Sequence, residues 1–301
     1  QSSESEKHFK TRRYFDLMRN FRRQSWLLIY LFGASPVACN SFVKGRKHDL
    51  ANFDSDTLYL PHATSLRSSN LGYQSYAQTE HLEVCYNSLD SYVSSLVSGI
   101  CENYPPYEKI GVQINKQYRQ INTSILQSEA EFYSTIRAKC VPSPGENFLV
   151  RLLADGVQYV EIRLLDINPY FPLGIDEKEI DFLDTFLLYC LLTDSPDDND
   201  LLCNEVEQNT TITVNQGRSH ELRLQDDGVS RSLKDWGANI LAEMTPYANV
   251  LDQTFKSKRY SEALKIQLQR IADPNSTPSG QIIKDMRDKE MSFIRFALNQ
   301  T

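Results

Sequence analysis

Between residues 8 and 31 the apolar positions Phe15, Met18, Phe21, Trp26 and Ile29 recur at helical spacing, with Arg12, Arg13, Arg19, Arg22 and Arg23 set between them. The pattern predicts one amphipathic helix that runs into the apolar stretch WLLIYLFGA and stops at GASP, where Gly33 and Pro36 disfavour further helix. Residues 54–80, rich in Ser, Asn and Tyr and without a period, predict an ordered loop region. A second helix is predicted over 88–102, where Leu89, Tyr92, Val93, Leu96, Val97 and Ile100 form one stripe behind Ser88 as N-cap. The runs IGVQI (110–114), QINTSIL (120–126) and VQYVEIRLLDI (157–167) predict strands. Asp176, with Glu179 three residues on, opens a mostly buried helix through FLDTFLLYCLL to Leu192. After Pro196 the texture changes: an acidic DSPDDND loop gives way to a chiefly helical remainder, with amphipathic patterns over 232–244, 260–272 and 279–298.

The strand predicted over 157–167 contains an unusual pair. Successive strand side chains point to opposite faces, so Tyr159, Glu161, Arg163 and Leu165 share one face, with Glu161 and Arg163 roughly 7 Å apart. Two meanings stand open: a cross-strand ion pair on a solvated face, or a carboxylate and a guanidinium aimed at a ligand.

Charge and cysteine content narrow the function classes. Thirty-two basic against 39 acidic residues leave a net charge of -7, which argues against a general electrostatic hold on nucleic acid or an anionic membrane. The longest apolar run falls far short of the ~20 residues that span a bilayer. Six scattered cysteines without a CxxC pair predict free thiols and a cytoplasmic setting and argue against a structural zinc site. Neither GxGxxG nor a P-loop occurs, so a nucleotide would be held another way. The opening QSSESEKHFKTRR, with neither an initiator Met nor a signal core, predicts a fragment. The arginines of the first helix are expected to form a solvated face, the alternative being a phosphate contact.

Three stretches combine lone arginines with aromatic hydroxyls: Arg67 with Tyr73, then Glu129, Glu131, Tyr133, Arg137 and Lys139, then Glu161 with Arg163. Guanidinium groups bind carboxylate or phosphate through paired hydrogen bonds, and phenols orient small polar ligands. This is a vocabulary for binding amino acids or phosphates.

The order of four stretches carries more. YLFGASPVACNSF (30–42), LYLPHATSLRSSNLGY (58–73), QINTSILQSEAEFYSTIR (120–137) and VQYVEIRLLDINPYFPLGID (157–176) together resemble the bacterial glutamate-cysteine ligases of the proteobacterial type, also called γ-glutamylcysteine synthetases. The resemblance is strongest over residues 10–195. It implies an α+β fold with a curved, mainly antiparallel sheet forming a glutamine-synthetase-like funnel surrounded by helices. Residues 1–195 would be the central and C-terminal part of the catalytic domain, and residues 196–301 a helical part packed on it. The implied reaction uses ATP and Mg2+ to activate the γ-carboxylate of L-glutamate as an acyl phosphate, which the amino group of L-cysteine then attacks. On the matching positions, Glu161 would be a magnesium ligand and Arg163 the catalytic cation at the transferring phosphoryl group. Arg67, Tyr73 and Tyr133 would hold the cysteine, and Arg137 and Lys139 would contact nucleotide phosphates. Glu129 and Glu131 are further metal or hydrogen-bonding candidates. The chain departs from the family's pattern at Ala130 and Thr135, where an amide and a proline are usual. The family's other acidic metal ligands and part of its ATP site are expected from an N-terminal segment missing here. Two other readings remain in view: a ligase of this architecture using a different amine, and a non-catalytic amino-acid-binding fragment.

Overall fold

The computed structural model describes residues 4–72 and 75–300. In chain order it begins with helices α1 (Glu6–Arg23) and α2 (Ser25–Phe32), then strands β1 (Val37–Cys39), β2 (Ala51–Asn52) and β3 (Thr57–Tyr59). Short helices α3 (Tyr76–His81), α4 (Leu89–Cys101) and α5 (Pro105–Ile110) precede the hairpin of β4 (Gln113–Ile114) and β5 (Gln117–Tyr118). Strand β6 (Ile136–Lys139), helix α6 (Phe148–Asp155) and strand β7 (Tyr159–Ile162) lead to α7 (Glu177–Leu192) and α8 (Asp200–Gln216). A hairpin of β8 (Arg223–Asp226) and β9 (Val229–Ser232) is followed by α9 (Leu233–Phe255), α10 (Arg259–Ala272), α11 (Pro278–Asp288) and α12 (Phe293–Gln300). The fold is α+β, with small antiparallel sheets among many helices.

Several boundaries differ from the sequence expectation. The first helix breaks at Gln24, giving two helices where one was predicted. The strand predicted at 110–114 is present only as β4 at Gln113–Ile114: Pro105 and Pro106 occupy the opening of α5, where a missing N–H costs nothing, and helix persists to Ile110. The stretch 120–126 forms no strand; Ser124 makes only an isolated bridge to Asn103, and Asn122 caps its own turn by accepting from the Ser124 N–H. The strand expected over 157–167 is regular only from Tyr159 to Ile162. Inside the predicted 54–80 loop lie β3, a 3-10 turn at Leu66–Ser68 and α3. The last predicted helix is two, parted before Ser292, with Glu290 at a positive φ of 46°. The two caps read from sequence are present: Ser88 forms a capping box with Ser91, and the Asp176 carboxylate accepts from the Glu179 N–H.

The chain divides into two compact units. The first comprises residues 4–20, 75–163 and 194–198 of those described. Its core is aromatic: Tyr92 of α4, 1 % exposed, packs edge-to-face on Phe15, Tyr86 and Phe132. Arg19, expected on a solvated face, is instead buried, held by Asp16 at 2.7 Å and by the carbonyls of Tyr86 and Asn87.

The second unit comprises residues 21–72, 164–193 and 199–300 of those described. Helix α2 is buried throughout, with Trp26 tilted against Trp236 of α9 and Phe32 against Phe182 of α7. The small sheet runs β1-β3-β2, all antiparallel. The β8–β9 turn uses Asp227 and Gly228, both at positive φ, the pairing that a tight hairpin of this kind requires. Among the described residues no helix is long and apolar enough to cross a membrane.

In the first turn of α7, Glu179 is only 4 % exposed. Burial pushes its carboxyl from 4.5 up to about 8, the nearby Arg270 guanidinium only partly opposing this. Between those values the folded chain keeps a proton that the unfolded chain has released, so stability falls as pH rises through that window and levels off above it. Glu179→Gln should remove this loss. In parallel denaturant titrations the variant and parent should be nearly matched at about pH 5, and the variant more stable at about pH 8.5.

Candidate active site

The first unit gathers charge on one face of the β6–β7 pair. Its antiparallel register sets Arg137 opposite Glu161 and Lys139 opposite Tyr159. Directly opposed residues point to the same side, so Arg137, Lys139 and Glu161 share a face while Ile136 and Ala138 are buried on the other. The Arg163 N–H donates to the Thr135 carbonyl at 3.0 Å, which carries the pairing one step further and keeps Arg163 on the face of Glu161. Glu161 Oε2 lies 3.6 Å from Lys139 Nζ and 3.9 Å from Arg137 Nη1. Both separations are ionic, too long for hydrogen bonds, and this buried oxygen has no hydrogen-bond partner among the described residues. One carboxylate therefore stands among three cations, leaving the face locally positive in a chain of net charge -7.

The loop before β6 is clamped from both sides. Arg137, 6 % exposed, donates through Nη2 to the Glu129 carbonyl at 2.9 Å and through Nη1 to the Ala130 carbonyl at 3.4 Å. Gln78 of α3 accepts from the Tyr133 N–H at 2.9 Å and donates to the Glu131 carbonyl at 3.2 Å. The Glu131 carboxylate accepts from the Gln127 N–H at 2.7 Å, so it closes its own turn. Tyr133 is thus placed by Gln78, and its ring lies 5.9 Å from the Arg163 guanidinium carbon. Lys139 Nζ sits 5.2 Å from the Phe148 ring. Sequence reasoning found the charged members of this group and missed Gln78, whose role depends on residues more than 50 positions away.

In the second unit Arg67 lies within the 3-10 turn Leu66–Ser68 and is fixed by Asp166. Its Nε donates to Asp166 Oδ1 at 2.6 Å, and its Nη2 donates to the carbonyls of Leu164 and Leu165 at 2.7 and 2.9 Å. The chain then turns tightly at Gly72, where a Cβ would collide with the Arg67 carbonyl. Tyr73, the third residue expected in the acceptor site, lies outside the described residues.

Among the described residues no three His, Cys, Asp or Glu side chains converge on one point as a metal-binding group. The residues present fit a magnesium ion held chiefly by a ligand's phosphates. Glu161 offers one inward oxygen without a hydrogen-bond donor, and Mg2+ commonly takes one or two carboxylates beside phosphate and water.

A family model described as glutamate-cysteine ligase matches residues 1–213. The chain is 46% identical over 297 residues to a glutamate–cysteine ligase of Pseudomonas fluorescens, covering 99% of this chain and 56% of that protein. With one from Alcanivorax borkumensis the identity is 45% over 295 residues, 96% of this chain and 56% of that protein. A crystal structure of glutamate–cysteine ligase from Francisella tularensis in complex with AMP superposes with a TM-score of 0.88 at 34% identity, covering 96% of this chain and 57% of that one. A bifunctional glutathione synthetase from Pasteurella multocida shares the fold, with a TM-score of 0.70 at 22% identity over 99% of this chain and 32% of that one. The chain thus spans about 56% of the length of the curated relatives it matches.

Because Gln78 satisfies two backbone groups of the loop that carries Tyr133, Gln78→Ala should destabilise the protein by about 1–3 kcal/mol. Chemical denaturation of the variant and parent measures it.

Proposed function

Because the chain belongs to the glutamate-cysteine ligase family, we propose that it carries part of an ATP-dependent ligase joining the γ-carboxylate of L-glutamate to the amino group of L-cysteine. The observation that supports this most directly is the β6–β7 face, where Glu161 stands among Arg137, Lys139 and Arg163. A polyphosphate with a hard cation needs this mixture: cations for the phosphate oxygens and one carboxylate for the metal. The AMP in the Francisella structure supports a nucleotide as co-substrate.

In the proposed reaction a γ-carboxylate oxygen of glutamate attacks the γ-phosphorus of ATP, and the bond to the ADP oxygen breaks. The cysteine nitrogen then attacks the acyl carbon of the γ-glutamyl phosphate, the carbon–oxygen bond to phosphate breaks, and the nitrogen loses its proton. Arg163, steadied against Tyr133, pairs with oxygens of the transferring phosphoryl group. Lys139 contacts nucleotide phosphate directly. Arg137, committed to two backbone carbonyls, adds its charge from within the face. Glu161 would hold Mg2+, which when bound neutralises charge on the phosphates. Arg67, Tyr73 and Tyr133 hold the acceptor amino acid, the guanidinium suited to its α-carboxylate. Further acidic ligands would come from the part of the relatives' length that this sequence does not cover. The proposal extends to a sheet curved into a funnel, a catalytic part over 1–195 with helical support from 196–301, and a cytoplasmic setting.

The test is ADP release from the full-length protein with glutamate, Mg-ATP and a panel of amines. Cysteine should give the highest turnover, and Glu161→Gln should lower it by about 100-fold or more, with a raised requirement for Mg2+. Tyr133→Phe should raise the KM for cysteine by about tenfold while leaving the KM for ATP in place. Equal turnover with unrelated amines would remove cysteine as the acceptor. An E161Q enzyme with parental rates would remove the phosphate-and-metal assignment of the β6–β7 face.

A further inference from the structure

Gln78 is one of two buried residues of the six-residue helix α3, and neither the sequence pattern nor the resemblance singles it out. Its amide reaches residues 131 and 133 at once: Nε2 donates to the Glu131 carbonyl at 3.2 Å, and Oε1 accepts from the Tyr133 N–H at 2.9 Å. A carbonyl can only accept and a backbone N–H can only donate, so the amide has one orientation here. A residue of a parallel strand bonds its neighbour in the same pattern, to the carbonyl before it and the N–H after it. The Gln78 amide therefore pairs the backbone around Phe132, in a stretch between the 3-10 turn Glu129–Glu131 and β6 that belongs to no strand.

That pairing sets directions. Phe132 is extended, at φ −56° and ψ 117°, and its ring, 6 % exposed, packs 6.3 Å from Tyr92 in the aromatic core. Residues beside an extended position turn their side chains to the opposite side. With Phe132 held inward, the Tyr133 ring leaves the core and lies 5.9 Å from the Arg163 guanidinium carbon. A twist of the 131–133 backbone about its own axis would swing the Tyr133 hydroxyl, at the far end of the ring, through the widest arc. Gln78 resists that twist because it bonds on both sides of Phe132. A phenol donates one hydrogen bond and accepts others, so a ligand can share this hydroxyl with a protein partner.

We propose that Gln78 is the positioning residue of the acceptor subsite: its amide fixes the backbone that aims the Tyr133 hydroxyl at the incoming amino acid, without touching that ligand. The proposal rests on the reading of Tyr133 as an acceptor contact. The effect falls on the hydroxyl and hardly on the phosphoryl step. At 5.9 Å the ring is at the outer limit of a cation–π contact, whose energy changes little with a small shift, whereas a hydrogen bond weakens steeply once it is lengthened or bent.

Kinetics of the full-length enzyme with cysteine as acceptor test this through a double-mutant cycle with Tyr133→Phe. Gln78→Ala should raise the acceptor KM by about tenfold, as Y133F does, with kcat and the KM for ATP within about threefold of the parent. In the Y133F background it should add less than about twofold, because the hydroxyl it would misplace is already gone. A purely structural role would instead lower kcat and raise both KM values, and those losses would add to the Y133F effect. Should Q78A melt below the assay temperature, Gln78→Asn, whose amide is one carbon short of spanning both groups, gives a milder version of the same cycle. Additive effects, or an acceptor KM within about twofold of the parent in Q78A while Y133F raises it, overturn the positioning role and leave the ligase reading standing. An acceptor KM unmoved by Y133F removes the assignment of Tyr133, and the proposal with it.

Discussion

The antiparallel register of β6 and β7 is the constraint on which the candidate chemistry depends. It puts Arg137 opposite Glu161, and a slip of β7 by one residue would turn Glu161 to the side now filled by Ile136 and Ala138. The register is held from outside the ladder as well: the Tyr86 hydroxyl donates to the Ile136 carbonyl at 3.2 Å and shares a 2.7 Å hydrogen bond with Ser134. Stability does not explain the charges that result. Ion pairs at 3.6–3.9 Å, too long for hydrogen bonds, hold weakly, and three cations around one carboxylate repel one another. An arrangement that is neutral or unfavourable for folding, yet fixed by the register of a strand pair, is better explained by what it binds.

Arginine is also how this chain holds segments that no sheet or helix organises. Arg137 donates to the carbonyls of Glu129 and Ala130, Arg67 to those of Leu164 and Leu165, and Arg218 to those of Pro61 and Ala63, while Arg270 takes the Leu31 carbonyl left unpaired at the end of α2. Each guanidinium offers several donors in a rigid fork, so one side chain satisfies carbonyls that a missing strand would otherwise have paired. Burial costs two of these cations: it lowers Arg218 to about 10 and pulls Arg270 down as well, with Glu179 and Asp176 partly opposing the fall at Arg270.

Local signals were legible and distant ones were not. Ser88 and Asp176 could be read as caps because a cap bonds within three residues, and the helices behind them followed from their apolar stripes. The shared face of Glu161 and Arg163 followed from alternation alone. The Asp227–Gly228 hairpin had a readable signal that the helical texture of the C-terminal part obscured, and the paired prolines at 105–106 announced a helix start inside what looked like a strand approach. Asp166 and Gln78 had no such signal. Asp166 meets Arg67 across 99 positions and Gln78 meets Tyr133 across 55, contacts that no window of periodicity spans. For the same reason Arg137 read as a candidate phosphate contact with no hint that the Glu129 and Ala130 carbonyls already occupy its donors.

Mixed charge on the β6–β7 face, not positive charge alone, is what separates this arrangement from a simple anion site. Cations by themselves would hold a phosphate tightly before and after transfer and gain nothing as charge shifts between oxygens. A carboxylate by itself would repel the same phosphates. Placed directly opposite a clamped arginine, Glu161 lowers the net charge of the face without removing its sign, and its inward oxygen stays without a hydrogen-bond donor. Under the proposed reading that oxygen is where a divalent cation enters the balance. Charge on the face then comes and goes with the substrate while the protein's own charges stay fixed by the strand pair, which is the preorganisation that phosphoryl transfer rewards.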